Sequence, residues 1–421
     1  MKISGQISLP GDKSISHRAL MIASLSPEKS NIINLSTGQD VKSTEKCLKN
    51  CNISIKDTKK SEKIIFGDTF MSPYKELDCG NSGTTMRLLS GLLPSKNIQA
   101  TLFGDQSLSR RPMGRIIKPL SEMGVRIKGA NEKPPLMITK SEYHSIDYKN
   151  RIPSAQVKSA VLFAGLGASG TTKFSEPFLS RNHTEIMLEN VGANIKTNKN
   201  EISISSNSQK LAPLNITVPS DPSTAAFFAG AVAIIPKSNL IINNILTNPT
   251  RFGFFTSLKE MGLELDLLSE KSEAGEYVSD IFIKHGELKA IEINEKQVPS
   301  LIDEIPMLAV IATQAVGKTI IRGARELRVK ESDRIQSILF NLRNMGAVIE
   351  EFEDGFTITG PTKLNGTIIR TFGDHRIAMA SAIGSLRSKN EVNILDCINV
   401  NTSFPNFVDT CKEIGIEIEQ A

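Results

Sequence analysis

The sequence predicts an α/β protein in which one unit of helices and strands occurs six times, divided as three plus three between two domains. A short polar or glycine-containing loop opens six times into a helix-like run of small apolar residues, and consecutive openings lie 67 to 83 residues apart. A second element recurs in phase with the first. A fixed period of this length indicates one supersecondary unit used repeatedly, and a chain of 421 residues exceeds the size of one ordinary domain.

Each unit is predicted from two helix-like segments and the strands that follow them. The first helices open at Gly11, Gly80, Pro153, Ser220, Asp303 and Gly373. The second elements read KNCNISI near Cys51, EMGVRIK near Gly124, NVGANIK near Gly192, EMGLELD near Gly262, NMGAVIE near Gly346 and KEIGIEIE near Gly415. Glycine in five of these six suits a helix C-terminus followed by a strand. Apolar alternation predicts further strand residues at 53–55, 125–127, 202–204 and 356–358.

The longest spacing follows the fourth opening and contains the polar stretch 269–279, which we expect to form an exposed hairpin loop. Pro219 and Pro222 flank a loop, and this predicts a hinge near 218–222. No low-complexity linker separates the halves, so the two domains are expected to lie close together with a cleft between them.

The composition is that of a globular protein, with 39% hydrophobic and 23% charged residues. No apolar stretch approaches the roughly 20 residues of a membrane span, and the N-terminus lacks the apolar core of a signal peptide. Five scattered cysteines without metal-ligand spacing indicate reduced thiols, no metal site and a cytoplasmic location. We expect no cofactor and a monomer.

The net charge of +5 has two readings, solvated lysines or a cationic pocket for a small anion. Nucleic-acid binding is disfavoured, because the chain has 4 Tyr, no Trp and no run of five basic residues. Unusual polar residues start the first helices of the repeats, where free N–H groups favour anions: Lys13, Ser14, Arg18, Arg87, Gln156, Lys158, Asp303, Asp374, His375 and Arg376. Capped helices with solvated side chains would explain each motif alone, whereas their equivalent places in the repeat favour an anion site.

Eight motifs in order resemble a known family over essentially the whole chain. They are LPGDKSISHRAL, GNSGTTMR, SRRPM, PSAQVKSA, SRNHTE, LRVKESDR, GDHRIAMA and NTSFP, and they resemble 5-enolpyruvylshikimate-3-phosphate synthase (3-phosphoshikimate 1-carboxyvinyltransferase), in its class II bacterial type. The resemblance implies two similar domains, each of three βαβαββ units, with the active site in the interdomain cleft. One domain would comprise residues 12–219 and the other 1–11 with 220–421.

The resemblance also implies the reaction of the shikimate pathway, in which the 5-hydroxyl of shikimate 3-phosphate attacks phosphoenolpyruvate and a tetrahedral ketal expels phosphate. Residues implied to bind shikimate 3-phosphate are Lys13, Ser14, Arg18, Ser154, Ala155, Gln156, Ser180, Asp303 and Lys330. Residues implied to bind phosphoenolpyruvate are Lys13, Gly83, Arg111, Gln156, Arg334 and Arg376. Asp303 is implied as the base, and Glu331 with Lys13 as the proton donors. Glyphosate is implied as a competitor next to Gly83.

Three positions depart from the family pattern. Thr402 stands where many members carry lysine, and His17 and Glu326 each stand where others carry asparagine. The contacts of those residues are therefore not carried over.

Two other function classes remain to be separated. The enolpyruvyl transferase that acts on UDP-N-acetylglucosamine shares the six-unit fold, but it carries a loop cysteine and an asparagine after the N-terminal lysine. This chain has no cysteine between Cys79 and Cys397, and Ser14 follows Lys13. A non-catalytic repeat or nucleic-acid-binding scaffold would not require Asp303 and Glu331 beside the cationic residues.

Overall fold

The structure is a computed structural model that describes residues 1–59, 61–206 and 209–419; residue 421, where the second predicted domain ends, lies outside them. The helices come in pairs along the chain: α1 Lys13–Ala23, α2 Gln39–Asn50, α3 Gly83–Ser95, α4 Gly114–Glu122, α5 Ala155–Gly165, α6 His183–Asn190, α7 Pro222–Ile234, α8 Gly253–Glu260, α9 Ile305–Ala312, α10 Arg334–Asn344, α11 His375–Ser385 and α12 Phe407–Glu413. Short 3-10 helices occupy Leu108–Arg110, Val298–Ser300, Arg325–Val329 and Cys397–Thr402.

The strands lie mostly on either side of these helices and in hairpins after the second helix of a pair. They are β1 Gln6–Ser8, β2 Lys29–Ile33, β3 Ser54–Asp57, β4 Lys63–Phe66, β5 Leu77–Asp78, β6 Ala100–Phe103, β7 Arg126–Ala130, β8 Lys133–Thr139, β9 Asp147–Lys149, β10 Thr171–Ser175, β11 Ile195–Asn198, β12 Glu201–Ser205, β13 Asn215–Thr217, β14 Asn239–Leu246, β15 Glu264–Glu273, β16 Glu276–Lys284, β17 Glu292–Ile293, β18 Gly317–Ile321, β19 Val348–Phe352, β20 Gly355–Gly360, β21 Ile368–Arg370 and β22 Asn393–Leu395.

The sheets repeat one topology, which confirms the predicted α/β repeat. Within the described residues, five four-stranded sheets have the orders β13-β2-β4-β3, β5-β6-β8-β7, β9-β10-β12-β11, β1-β14-β16-β15 and β17-β18-β20-β19. Each begins with a parallel pair at one edge and continues with an antiparallel neighbour. Strands, helices and hairpin thus follow the order βαβαββ, with β13 and β1 as the first strands for the units of α1 and α7.

The sixth unit differs from the other five. Among the described residues its sheet consists of the parallel pair β21 and β22 alone. The alternation after Gly415 predicted a strand, but residues 416–419 are not in one. In the other units this segment pairs with a strand that follows it, and the described residues supply no such partner here.

The polar stretch 269–279 forms an exposed hairpin, as predicted, but most of it is strand rather than loop. β15 and β16 run through it to a two-residue turn at Ala274 and Gly275, which both have positive φ, as a type I′ hairpin turn requires. Most of β15 is exposed on both faces. Because the buried face is what imposes apolar alternation, such a strand gives no period-two signal.

The described chain forms two compact units. The first comprises Gly11–Val218 together with Glu273–Glu276, and the second comprises Met1–Pro10, Pro219–Ser272 and the chain from Tyr277 onward. In the first unit α3 lies against α5, and a Cβ on Gly91 would come within 2.0 Å of the Ala160 carbonyl oxygen. Within the described residues no helix is both long and apolar enough to cross a bilayer.

Candidate active site

The first helices of the repeats begin at capped N-termini that present polar side chains. Asp12, Ser82, Ser154, Asp221 and Asp374 each accept a hydrogen bond from a backbone N–H in the first turn of α1, α3, α5, α7 and α11. α9 follows Glu304 without such a bond. Capping satisfies one of the exposed N–H groups and fixes the direction of the neighbouring side chains.

Lys13 and Ser14 open α1 in the first unit and are partly accessible. The Lys13 ammonium lies 3.1 Å from Asp40 Oδ2, and its side chain is 17% exposed. Arg181 Nη1 donates to Ser14 Oγ over 3.0 Å. Because Ser14 accepts in this contact, its own hydroxyl proton can be donated to a ligand. Arg181 was not among the predicted site residues, although it lies in the SRNHTE motif.

Arg18 is buried and holds three helices together. Its Nε donates to Thr184 Oγ1 at 2.7 Å, its Nη1 to the Ser14 carbonyl at 2.9 Å and its Nη2 to Ser159 Oγ at 2.8 Å. The residue is 2% exposed. Ala155, also predicted to bind substrate, accepts from Ser159 Oγ through its carbonyl. Arg18 therefore fixes α1 relative to α5 and α6 within the first unit.

Gln156, on α5, has its side-chain amide oriented by two neighbours. Arg87 Nη1 donates to Gln156 Oε1 over 2.8 Å, and Gln156 Nε2 donates to Thr84 Oγ1 over 2.9 Å. An arginine only donates, so the amide oxygen must face it. Arg87 is one of the polar residues that the sequence placed at the helix starts, although it was not among the residues implied to bind either substrate; it lies in GNSGTTMR, one helical turn after Gly83.

Gly83 begins α3 beside two guanidinium groups. A Cβ at this position would lie 2.8 Å from Arg87 Nη1 and 3.5 Å from Arg111 Nη1. Arg111 Nη2 also donates to Asn81 Oδ1 at 2.7 Å. The structure thus brings Gly83 and Arg111 together with Arg87, which the sequence also placed at a helix start favourable to anions.

His17 is buried, and its ring begins a chain of hydrogen-bonded hydroxyl groups. Its Nδ1 is 2.6 Å from Thr44 Oγ1, which in turn contacts Thr85 Oγ1, and Thr85 contacts the capping hydroxyl of Ser82. Burial, together with the positive charges of Lys13 and Arg18, lowers the pKa of His17 well below its usual value. The imidazole is therefore neutral at physiological pH and connects α1 to the N-terminus of α3.

The second unit brings Asp303 together with three cationic side chains. Asp303 Oδ1 lies 3.3 Å from Lys330 Nζ and 3.0 Å from Arg334 Nη1, and Oδ2 lies 3.9 Å from Arg376 Nη2. Arg376 Nη1 also donates to the Asp303 carbonyl over 3.0 Å. All four are predicted substrate-binding residues, and the structure places them in contact.

Arg334 is the buried centre of this cluster. Besides Asp303, it contacts Glu331 Oε2 through Nη2 at 2.5 Å and Asp374 Oδ2 through Nε at 2.8 Å. Burial alone would lower the pKa of Arg334, but the carboxylates of Asp374, Glu331 and Asp303 outweigh it and raise the pKa above the usual value for arginine. Arg334 is thus a permanent cation held in one orientation.

Thr402, one of the positions that depart from the family pattern, ends the 3-10 helix Cys397–Thr402. Its hydroxyl donates to the Asn399 carbonyl at 2.7 Å. A threonine in this contact supplies no positive charge to a ligand. Across the described chain, no group of three or more His, Cys, Asp and Glu side chains is arranged to hold a metal ion.

The fold and the motifs match known proteins over nearly the whole chain. The family model of EPSP synthase (3-phosphoshikimate 1-carboxyvinyltransferase) matches residues 1–411. The 3-phosphoshikimate 1-carboxyvinyltransferase of Persephonella marina is 44% identical over 98% of this chain and 97% of its own length. That of Thermodesulfovibrio yellowstonii is 45% identical over 96% of each chain.

Solved structures agree with this match. The EPSP synthase of Acinetobacter baumannii superposes with a TM-score of 0.89 at 40% identity, covering 99% of this chain and 97% of that one. The enolpyruvyl transferase NikO of Streptomyces tendae shares the fold at a TM-score of 0.79 and 16% identity, covering 100% of this chain and 97% of that one. On the family match and the identity to its relatives, the chain belongs to the EPSP synthase (3-phosphoshikimate 1-carboxyvinyltransferase) family.

Proposed function

We propose that this protein transfers the enolpyruvyl group of phosphoenolpyruvate to the 5-hydroxyl of shikimate 3-phosphate and releases phosphate. The observation that carries the proposal is the family match over residues 1–411. The side-chain chemistry agrees with it. Each substrate brings a carboxylate and a phosphate group, and a phosphate carries a charge of about −1.5 to −2 near pH 7. Arginine and lysine side chains grouped around helix N-termini suit such ligands.

The proposed shikimate 3-phosphate ligands combine hydroxyl, amide and cationic groups. They are Lys13, Ser14, Arg18, Ser154, Ala155, Gln156, Ser180, Asp303 and Lys330. Ser14 supports this role directly, because its oxygen accepts from Arg181 and its proton remains for a phosphate or carboxylate. Arg18 contributes through the fixed position of α1, since its donors contact Thr184, Ser159 and the Ser14 carbonyl.

The proposed phosphoenolpyruvate ligands are mainly cationic. They are Lys13, Gly83, Arg111, Gln156, Arg334 and Arg376. Gly83 supports this assignment because its missing side chain leaves room in front of the guanidinium groups of Arg87 and Arg111. Arg334, which three carboxylates hold in place, offers a planar fork of N–H donors of the kind that binds carboxylate and phosphate groups well.

The reaction requires a proton acceptor and a proton donor. Asp303 is the proposed base: it takes the proton of the 5-hydroxyl as that oxygen bonds to C2 of phosphoenolpyruvate. The methylene carbon C3 gains a proton from Glu331 or Lys13, which gives the tetrahedral ketal. The group that protonated C3 then takes a proton back from that carbon as the phosphate group leaves, which restores the double bond. General acid and base groups of this kind contribute about 10²- to 10⁴-fold each.

Phosphate release from the purified protein tests the proposal. With both substrates we expect stoichiometric phosphate and enolpyruvylshikimate 3-phosphate, and with either substrate alone none. UDP-N-acetylglucosamine in place of shikimate 3-phosphate tests the related transferase activity and should give no product. Asp303→Asn is measured alongside, and its turnover should be lower by about 10²- to 10⁴-fold. Product from UDP-N-acetylglucosamine, or no product from shikimate 3-phosphate, would refute the assignment.

The proposal includes a monomer that binds neither nucleic acid nor membrane and works in the cytoplasm. The five cysteines are free thiols, four of them buried, which suits a reducing compartment. Light scattering coupled to gel filtration checks the first point, with a mass near 46 kDa expected. A mass of twice that value would contradict it.

A further inference from the structure

One buried carboxylate joins two segments that both carry proposed substrate ligands. Glu176 follows β10, and its side chain is 0% exposed. Its Oε1 accepts from the Ser180 backbone N–H and the Ser180 hydroxyl, both at 2.8 Å. Its Oε2 accepts from the Ser154 backbone N–H at 3.2 Å. Ser154 and Ser180 lie in different segments of the first unit, so the position of each depends on the same side chain.

A buried lysine balances the charge of this carboxylate. Lys158, on α5, is 0% exposed, and its ammonium lies 2.8 Å from Glu176 Oε1 and 3.1 Å from the Ser180 carbonyl. Glu185 Oε1 lies 2.8 Å from the same ammonium but makes no hydrogen bond within the described residues. A buried charge requires such partners, because its transfer from water costs several kcal/mol.

The hydrogen bonds also decide which serine can donate to a ligand. Ser154 Oγ accepts from the Val157 N–H at 3.4 Å, so its hydroxyl proton remains for a ligand. Ser180 Oγ donates its single proton to Glu176 and presents lone pairs instead. Glu176 thus gives the two serines different roles: Ser154 suits an anionic oxygen, and Ser180 suits a group that donates.

We propose that Glu176 is a positioning residue for shikimate 3-phosphate, acting through Ser154 and Ser180. The inference rests on the proposed function. Glu176 does not touch the substrate; it fixes the Ser154 N–H, the Ser180 N–H and the Ser180 hydroxyl, and Lys158 fixes Glu176. Disturbing these bonds weakens the binding of shikimate 3-phosphate and leaves phosphoenolpyruvate binding, whose proposed ligands do not include the two serines, largely unaffected.

Two matched variants test the proposal. Glu176→Gln and Glu185→Gln each remove one negative charge beside Lys158, but only Glu176 bonds to the serines. In Glu176→Gln an amide N–H₂ group opposes the Ser154 or Ser180 donors. We expect the KM for shikimate 3-phosphate to rise about tenfold or more in Glu176→Gln, and the KM for phosphoenolpyruvate to change less than twofold. Glu185→Gln should leave the ratio of the two KM values at its wild-type level.

Three outcomes would overturn the proposal: an unchanged KM for shikimate 3-phosphate in Glu176→Gln, an equal rise in both KM values, or the same selective rise in Glu185→Gln. Glu176→Asp keeps the charge opposite Lys158 and shortens the side chain by one methylene. It should show the same selective rise, and it decides the question if Glu176→Gln does not fold.

Hydrogen exchange provides a readout independent of turnover. Peptides covering 150–157 and 176–183 should exchange faster in Glu176→Gln than in the wild type, and at wild-type rates in Glu185→Gln. A wild-type protein that releases no phosphate refutes the proposed function. Wild-type exchange rates in Glu176→Gln refute the hydrogen-bond network itself, so the two failures are distinct.

Discussion

Asp303→Asn should separate catalysis from binding in the second unit. Asp303 carries a negative charge close to three cations at once, with oxygens 3.3 Å from Lys330, 3.0 Å from Arg334 and 3.9 Å from Arg376. The asparagine keeps an oxygen that accepts from Lys330 and Arg334, so the local hydrogen bonds persist. The substitution therefore removes the proton acceptor and one negative charge while conserving shape.

The substitution should impair catalysis without impairing the binding of phosphoenolpyruvate. Loss of a general base lowers kcat by about 10²- to 10⁴-fold, equivalent to about 2.7 to 5.5 kcal/mol. Unit charges 4 Å apart interact by about 4 kcal/mol at an effective dielectric constant of 20, so removal of the carboxylate frees a substantial part of the cationic potential for an anionic ligand. We therefore expect kcat to fall while the KM for phosphoenolpyruvate stays level or decreases.

Steady-state phosphate release with each substrate varied in turn measures both effects. Glu304→Gln is the matched control, because Glu304 is the adjacent residue, loses the same charge and lies 3.8 Å from Arg376. It should keep kcat within about tenfold of the wild type. Near-normal turnover in folded Asp303→Asn, or an equal loss in Glu304→Gln, would show that Asp303 is not the base.

Three further predictions concern individual side chains. Burial lowers the pKa of His17 in the folded protein, so below pH 6.5 the unfolded chain binds a proton at this site more readily than the folded protein does. The free energy of unfolding should therefore fall as pH falls below 6.5, by up to about 1.4 kcal/mol per pH unit. His17→Asn should flatten this part of the profile in urea titrations at pH 7.5 and 5.5, and an unchanged slope would contradict it. Gly83→Ala places a methyl group 2.8 Å from Arg87 Nη1, so the ratio of the glyphosate inhibition constant to the phosphoenolpyruvate KM should rise. An unchanged ratio would show that Gly83 does not line the ligand site. Burial raises the pKa of Cys51 and Cys411 to about 12, so both thiols should resist Ellman's reagent in the native protein at pH 8, and their rapid labelling would contradict the fold around them.

The repeat could be predicted from the sequence because its signals are local. Caps such as Ser154 and Asp221 stand directly before the helices they start, and small apolar residues follow at once. Contacts between residues that are far apart in the sequence could not be predicted in this way. Arg87 and Gln156 are 69 residues apart and Glu176 and Ser154 are 22 apart, and no spacing in the sequence indicates that these side chains meet.

The local pattern also predicted a strand where the structure has none. The alternation at 416–418 has the period of a strand, yet a strand requires a neighbour to bond to, and the described chain supplies none there. Conversely, β15 pairs with β16 but has little buried surface, so its sequence resembles that of a loop. Period-two patterns report burial of one face, whereas backbone pairing depends on what lies alongside.

The pairing of β1 with β14 has a consequence for the order of folding during synthesis. Gln6 lies beside Ile241, and Ile3 bonds to Ser238, 235 residues later. At about 5 to 20 residues per second, the ribosome makes the partner strand roughly 12 to 47 s after the first. The strands of the first unit's sheets all lie between residues 29 and 217. That unit can therefore complete its sheets before β14, the partner of β1, has been synthesised. The residues of β1 are thus synthesised before the whole first unit, yet they pair with their partner strand only after that unit can have formed its sheets.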